Sequence, residues 1–155
     1  MKIVIGADPF AAELKKAIIN HLTRKGLMIV DADAGESIPY YVSAQRACCL
    51  LQAGQAEKGI LLCGTGMGMS IVANKFYGIT AACVESVFTA KMCKAINNAN
   101  VITMGAMVLE ESVALEMIDT WLATGFTESL EEHADFLRDA VLCVAQIDKE
   151  NRIGS

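Results

Sequence analysis

The chain has 155 residues, 54% of them hydrophobic and 20% charged, with a formal net charge of −5; this is the size of one domain. A mean hydropathy of +0.39 excludes intrinsic disorder, which goes with low hydrophobicity and high net charge, and a chain this long can bury a core without disulfides. The acidic balance and the lack of any basic block argue against nucleic acid and against an anionic membrane surface as partners.

In chain order, Lys2-Ile-Val-Ile-Gly-Ala-Asp8 holds a short β-branched apolar run ending in Gly6, which predicts a buried strand followed by a turn. Residues 11–25 place Leu14, Ala17, Ile18 and Leu22 on one helical face and charged or amide residues on the other, with Gly26 as a stop. A second strand is expected over 27–30 and a helix opened by Pro39 over 40–56. The pattern then repeats: strand 59–63, glycine loop 64–68, helix 69–76, strand 78–84, helix 87–95, strand 101–104 and helix 111–123. A long last helix is expected over 128–147.

Five strands that are continuously apolar, rather than alternating, read as a parallel sheet covered on both faces. The expected fold is α/β, a three-layer α/β/α sandwich of Rossmann-like type. It forms one domain over 1–148, followed by a loose tail over 149–155. The longest uncharged stretch, 59–74, is too short and too glycine-rich to span a membrane. No secretory signal pattern opens the chain. A reduced, cytoplasmic protein is expected.

In such sheets ligands bind at the carboxyl ends of the strands. The candidates there are Asp8, the segment from Cys63 to Ser70, Glu85 and Gly105. Cys63-Gly-Thr-Gly-Met-Gly-Met-Ser70 places glycines at 64, 66 and 68 between a strand and a helix. Such a turn either is a structural necessity or aims several backbone N–H groups at an anion. It is not a Walker loop, and its spacing fails the G-x-G-x-x-G dinucleotide pattern. Cys63, just before these amides, is favoured as a thiolate. Cys48, Cys49, Cys83, Cys93 and Cys143 read as packing, and two histidines cannot complete a zinc-finger spacing with them. Asp8 is open between a turn or helix cap and a carboxylate facing the same cleft. Asn97, Asn98 and Asn100 read as turn residues or polyol donors. His133 and Arg138 read as surface residues or as anion ligands for a partner chain's site.

Taken together, Gly6-Ala-Asp8, Ile60-Leu-Leu-Cys63-Gly-Thr-Gly-Met-Gly-Met-Ser70, Ala73-Asn74-Lys75, Gly78-Ile79 and Asn97-x-x-Asn100-Val101 resemble the type B ribose-5-phosphate isomerase and galactose-6-phosphate isomerase family. The resemblance runs from about residue 1 to 144. It implies an aldose–ketose isomerase of a phosphorylated sugar that works through an enediolate, without metal or organic cofactor. It implies a homodimer or homotetramer with active sites at the subunit interface. Carried onto this chain, Cys63 is the base, Thr65 assists proton movement and Asp8 orients or helps open the sugar ring. Gly64, Gly66, Gly68, Met69 and Ser70 hold the anion, Asn97 binds hydroxyls, and His133 and Arg138 are phosphate candidates.

The departures point to substrate. Pro9 stands where the family has a histidine after the aspartate, Ile96 where it has a second histidine, and Met107 where it has an arginine. Proton abstraction is intact, whereas ring opening and phosphate clamping are thinned. A tetrose 4-phosphate has its O4 blocked and stays open-chain, so a short or open-chain sugar phosphate is expected. Two alternatives stand beside this: a non-catalytic subunit of a mixed oligomer, and a nucleotide-binding module, which the glycine spacing disfavours.

Overall fold

The structure, a computed structural model, describes residues 1–152. Its sheet contains β1 (Lys2–Ala7), β2 (Met28–Asp31), β3 (Lys58–Cys63), β4 (Ala81–Cys83) and β5 (Val101–Gly105). The strands are all parallel, in the order β2-β1-β3-β5-β4. Both faces are covered, as the apolar strands predict. Helices α1 (Ala12–Arg24), α4 (Val87–Ala95) and α5 (Glu111–Ala123) bury Leu14, Ile18, Ala90, Met117 and Trp121 against Ile3, Ile5, Ile60 and Ile102. Helices α2 (Tyr40–Gln52) and α3 (Met67–Ala73) bury Ala44, Ala47, Cys48 and Met69 against Val4, Leu61 and Val101 on the other face. Helix α6 (Ala134–Arg152) follows a 3-10 turn at Glu131–His133. Trp121 is fully buried, donates from its indole N–H to the Ala99 carbonyl at 3.3 Å and lies under the Lys58 ammonium at 4.9 Å; truncating it would cost about 3–5 kcal/mol.

Several boundaries differ from expectation. Strand β4 is shorter than the apolar run over 78–84 because a side chain takes the Gly78 carbonyl and the Thr80 N–H, while the Thr80 carbonyl accepts from the Asn100 and Val101 N–H groups at 3.2 Å. Asn100 donates to the Gly78 carbonyl and accepts from the Thr80 N–H, both at 2.8 Å. Asn74 fastens the strand itself, donating to the Ala81 carbonyl at 2.8 Å and accepting from its N–H at 2.9 Å. The last helix starts at Ala134, not 128, because Thr127 and Ser129 take left-handed φ values of 67° and 61°. It continues to Arg152, so residues 149–152 are helical where a loose tail was expected; residues 153–155 lie outside the described residues. No helix among the described residues is long and apolar enough to cross a membrane.

Candidate active site at the carboxyl edge of the sheet

Strand order reverses between β1 and β3, and the crevice at such a switch point is where open parallel sheets bind ligands. Asp8 and Cys63 end these two strands. The register pairs Ala7 with Leu62, and the Asp8 N–H donates to the Leu62 carbonyl at 3.1 Å, which brings Asp8 alongside Cys63. Alternation along each strand sets the face. Ile3, Ile5 and Ala7 pack on the α1 side, and so do Ile60 and Leu62. Cys63, one residue on from Leu62, therefore turns toward α2 and α3 and lies in that cluster.

Cys63 is 5% exposed, and the Gly66 N–H donates to its Sγ at 3.1 Å. This backbone donor fixes the sulfur in place beneath the loop. The donor exists because the loop is tight. Gly66 has φ +79°, and a Cβ there would lie 2.9 Å from the backbone carbon of Met104. Gly105 lets the loop settle on β5, since a Cβ there would lie 2.7 Å from the Thr65 carbonyl carbon. The Ala106 and Met107 N–H groups close the arrangement by donating to the Cys63 and Gly64 carbonyls, each at 2.9 Å.

For Asp8 the structure shows the turn-cap reading. Its carboxylate accepts from the Phe10 N–H at 3.0 Å and caps the 3-10 turn at Pro9–Ala11, and the residue lines a cavity of about 300 Å³ with Ala12, Lys15, Asp31 and Asp33. Burial pushes its carboxyl above the ordinary range, against the pull of the Phe10 and Ala11 N–H groups. The strand end carrying it is pinned from behind. The buried Asp33 accepts from the Ala7 N–H at 2.8 Å and from Lys15 Nζ at 2.7 Å, and Lys15 also donates to Asp31 at 2.5 Å.

The structure brings Asp8, Cys63, Gly64, Thr65, Gly66 and Gly68 to one edge. Thr65 is exposed, and its carbonyl receives the Cys83 thiol at 3.9 Å. Met69 is fully buried, so its side chain belongs to the core. The Ser70 hydroxyl donates to the Ala81 carbonyl at 3.3 Å, which ties it to β4. The remaining three candidates lie elsewhere. Asn97 follows α4 and precedes β5, at the amino-terminal edge of the sheet; the five residues of β5 separate it from the Cys63 edge by about 16 Å. It lines a cavity of about 480 Å³ together with Tyr77, Ile96, Phe136 and Val144. His133 and Arg138 lie at the start of the last helix, exposed, His133 with its Nε2 3.4 Å from the Glu132 carboxylate and Arg138 in an ion pair with Asp135 at 3.0 Å. Two contacts escape sequence reasoning. Met107 lays its thioether over Gly64, and Tyr40 lays its ring on Gly68. Their only trace in the sequence is that both partners are glycines.

A doubly covered parallel sheet with a hydrogen-bonded strand-end thiol, a glycine loop and a carboxylate near its switch point is an α/β fold with a candidate active site at its strand ends. Comparison narrows the class. The profile of the Ribose/Galactose Isomerase family matches residues 3–138. A 4-deoxy-4-sulfo-D-erythrose isomerase from a Clostridium species is 43% identical over 153 residues, covering 96% of each chain. A D-erythrulose-4-phosphate isomerase from Pectobacterium atrosepticum is 41% identical over 129 residues, 81% of this chain and 85% of that one. The structure of Clostridium thermocellum ribose-5-phosphate isomerase B superposes with a TM-score of 0.89 at 32% identity, covering 97% of this chain and 99% of the other. This chain belongs to the ribose/galactose isomerase family and is a sugar isomerase of the aldose–ketose class.

Proposed function

We propose that the protein interconverts the aldose and ketose forms of an open-chain, four-carbon sugar phosphate, in the cytoplasm and as a single-domain subunit. The carrying observation is the Cys63 sulfur that accepts the Gly66 N–H beside Asp8, in a chain with Pro9, Ile96 and Met107 at the positions discussed above. The reaction is redox-neutral and moves one proton between adjacent carbons, so an acid–base machine suffices and no cofactor is required. The Cys63 thiolate removes the proton from the carbon next to the carbonyl, and the resulting thiol returns it to the neighbouring carbon. Loop amides from Gly64 through Ser70 steady the enediolate oxygens or the terminal anion. Thr65 and Asp8 pass the hydroxyl proton, with Asp8 orienting the open chain.

Asn97, His133 and Arg138 serve the site of a second copy in a homodimer or homotetramer. Their placement at the opposite edge supports this reading. So does α6, which exposes Phe136, Leu142, Val144 and Ile147, each at 57% or more. The intact thiol–amide contact speaks against a non-catalytic subunit.

A second reading concerns the anion. A phosphate monoester carries about −1.5 to −2 near neutral pH, whereas a sulfonate carries a single charge. Met107 presents a thioether over the loop where a guanidinium would suit a dianion. The 43% identical relative is named for a sulfo-sugar, so the 4-sulfonate counterpart belongs in the test. That test is kcat/KM for erythrulose 4-phosphate, its sulfonate counterpart, ribose 5-phosphate and galactose 6-phosphate. One of the two four-carbon substrates is expected to lead. Equal or better turnover of the ring-forming sugars overturns the proposal. Met107→Arg is expected to shift preference toward phosphate over sulfonate, by about tenfold for a gained charge-assisted contact.

A further inference from the structure

We propose that Tyr40 is a specificity-determining residue that limits substrate length; this rests on the four-carbon reading above. Tyr40 is the first residue of α2, delivered by Pro39 in extended conformation at φ −62° and ψ 150°. It stands at the carboxyl edge of the sheet, on the α2/α3 face toward which Cys63 turns. Its ring lies against Gly68 so closely that a Cβ there would meet Cε2, Cδ2 and Cζ at 2.8–3.2 Å. Tyr41 braces it from the other side, edge-on, with ring centroids 5.4 Å apart and planes at 85°. An aromatic ring held on two sides is a rigid wall, because few rotamers remain open to it.

The ring is nevertheless 39% exposed, and among the described residues its hydroxyl meets no hydrogen-bond partner. Pure packing would hide the ring, and a surface tyrosine would not need glycine beneath it. Through Gly68, Tyr40 borders the loop that carries the thiol and the amides. A substrate anchored at that loop with one more carbon extends into this wall. Met107, on Gly64, bounds the same loop at its other end.

The experiment compares erythrulose 4-phosphate with ribulose 5-phosphate in Tyr40→Ala, Tyr40→Leu, Tyr40→Phe and the wild type. Both ketoses are open-chain, so chain length varies while ring opening does not. Tyr40→Ala and Tyr40→Leu are expected to raise the kcat/KM ratio of the five-carbon to the four-carbon ketose by about tenfold, the usual worth of one carbon in a pocket. Tyr40→Phe keeps the wall and is expected to keep the wild-type ratio. Equal loss on both ketoses, or an unchanged ratio in the folded Leu variant, overturns the proposal and leaves Tyr40 as a pillar of the loop. The wild-type ratio judges the four-carbon reading separately: a wild type that prefers ribulose 5-phosphate defeats that reading, while the change of ratio on substitution still judges Tyr40.

Discussion

The two edges of the sheet are built differently. At the carboxyl edge the reactive groups are buried, hydrogen-bonded and packed against backbone. Cys63 takes the Gly66 N–H, Asp8 takes the Phe10 N–H, and Asp33 pins the end of β1 through Ala7. At the amino-terminal edge Asn97, His133 and Arg138 are exposed and satisfied at best by neighbouring acids, beside an apolar cavity and the uncovered face of α6. Preorganisation at one edge and idle polar groups at the other indicate a division of labour. In the proposed mechanism the first edge performs the proton transfer, and the second completes the same edge of another copy. Such a division needs no special fold, because a symmetric dimer presents each edge to its counterpart.

The sharpest way to break this comparison is complementation. Cys63→Ala and Asn97→Ala chains, each nearly inactive alone, are expected to recover about a quarter of wild-type turnover when mixed after unfolding, since half of the dimers are mixed and each holds one intact site. No recovery would place both residues in one chain's site and dissolve the division between edges. Next in size, Asp8→Asn is expected to lower kcat/KM by about a hundredfold, within the usual range for general acid–base groups. The same change is expected to stabilise the fold at neutral pH. Burial raises the Asp8 carboxyl in the folded state, so the folded protein binds that proton more tightly than the unfolded chain. Stability therefore falls as pH climbs past the unfolded value of about 3.9, and the Asn variant escapes that loss. Melting curves from about pH 4 to 7 check it: the gap between variant and wild type should open with rising pH. A gap that closes instead would mean Asp8 is stabilised as the anion.

Much of the first edge was legible in the sequence. Glycines at 64, 66 and 68 after an apolar run admit few structures, and Cys63 and Asp8 stand where parallel strands must end. Legibility failed where a residue's role depends on a distant partner. Asn74 reads as part of a helix and Asn100 as a turn residue or polyol donor, yet they hang β4 and its approach through side-chain bonds to Ala81, Gly78 and Thr80. Thr127 and Ser129 carry no mark of a left-handed backbone, so the last helix reads as starting too early. Asn97 was identified as a binding residue, but its place at the far edge follows only from the crossover topology. Nor does the chain order alone reveal that Tyr40 and Met107 roof the glycine loop.

Smaller effects sharpen the same contrast. Asn74→Ala removes two bonds to Ala81 and is expected to cost about 1–3 kcal/mol. Calorimetry would show this as a lowered Tm, with the first edge still active in the surviving folded fraction. The packing cysteines should separate from the exposed ones by reactivity. Burial pushes the Cys48 thiol up to about 12 and the Cys93 thiol to about 11, so both are expected to resist alkylation at neutral pH until the chain unfolds. Cys49, Cys83 and Cys143 are exposed and should label first. Mass spectrometry of a timed reaction distinguishes them, and early labelling of Cys48 would contradict the packing described.

The most direct test of the central claim is hydrogen exchange at the substrate carbon in deuterated water, followed by proton NMR with erythrulose 4-phosphate and ribose 5-phosphate for wild type and Cys63→Ala. The wild type is expected to exchange the proton next to the carbonyl of its substrate as it isomerises it. Cys63→Ala should keep a wild-type melting curve, lose both isomerisation and exchange, and show a rate drop on the order of 10³–10⁴. Retained exchange in a folded Cys63→Ala protein would contradict the assignment of Cys63 as the base.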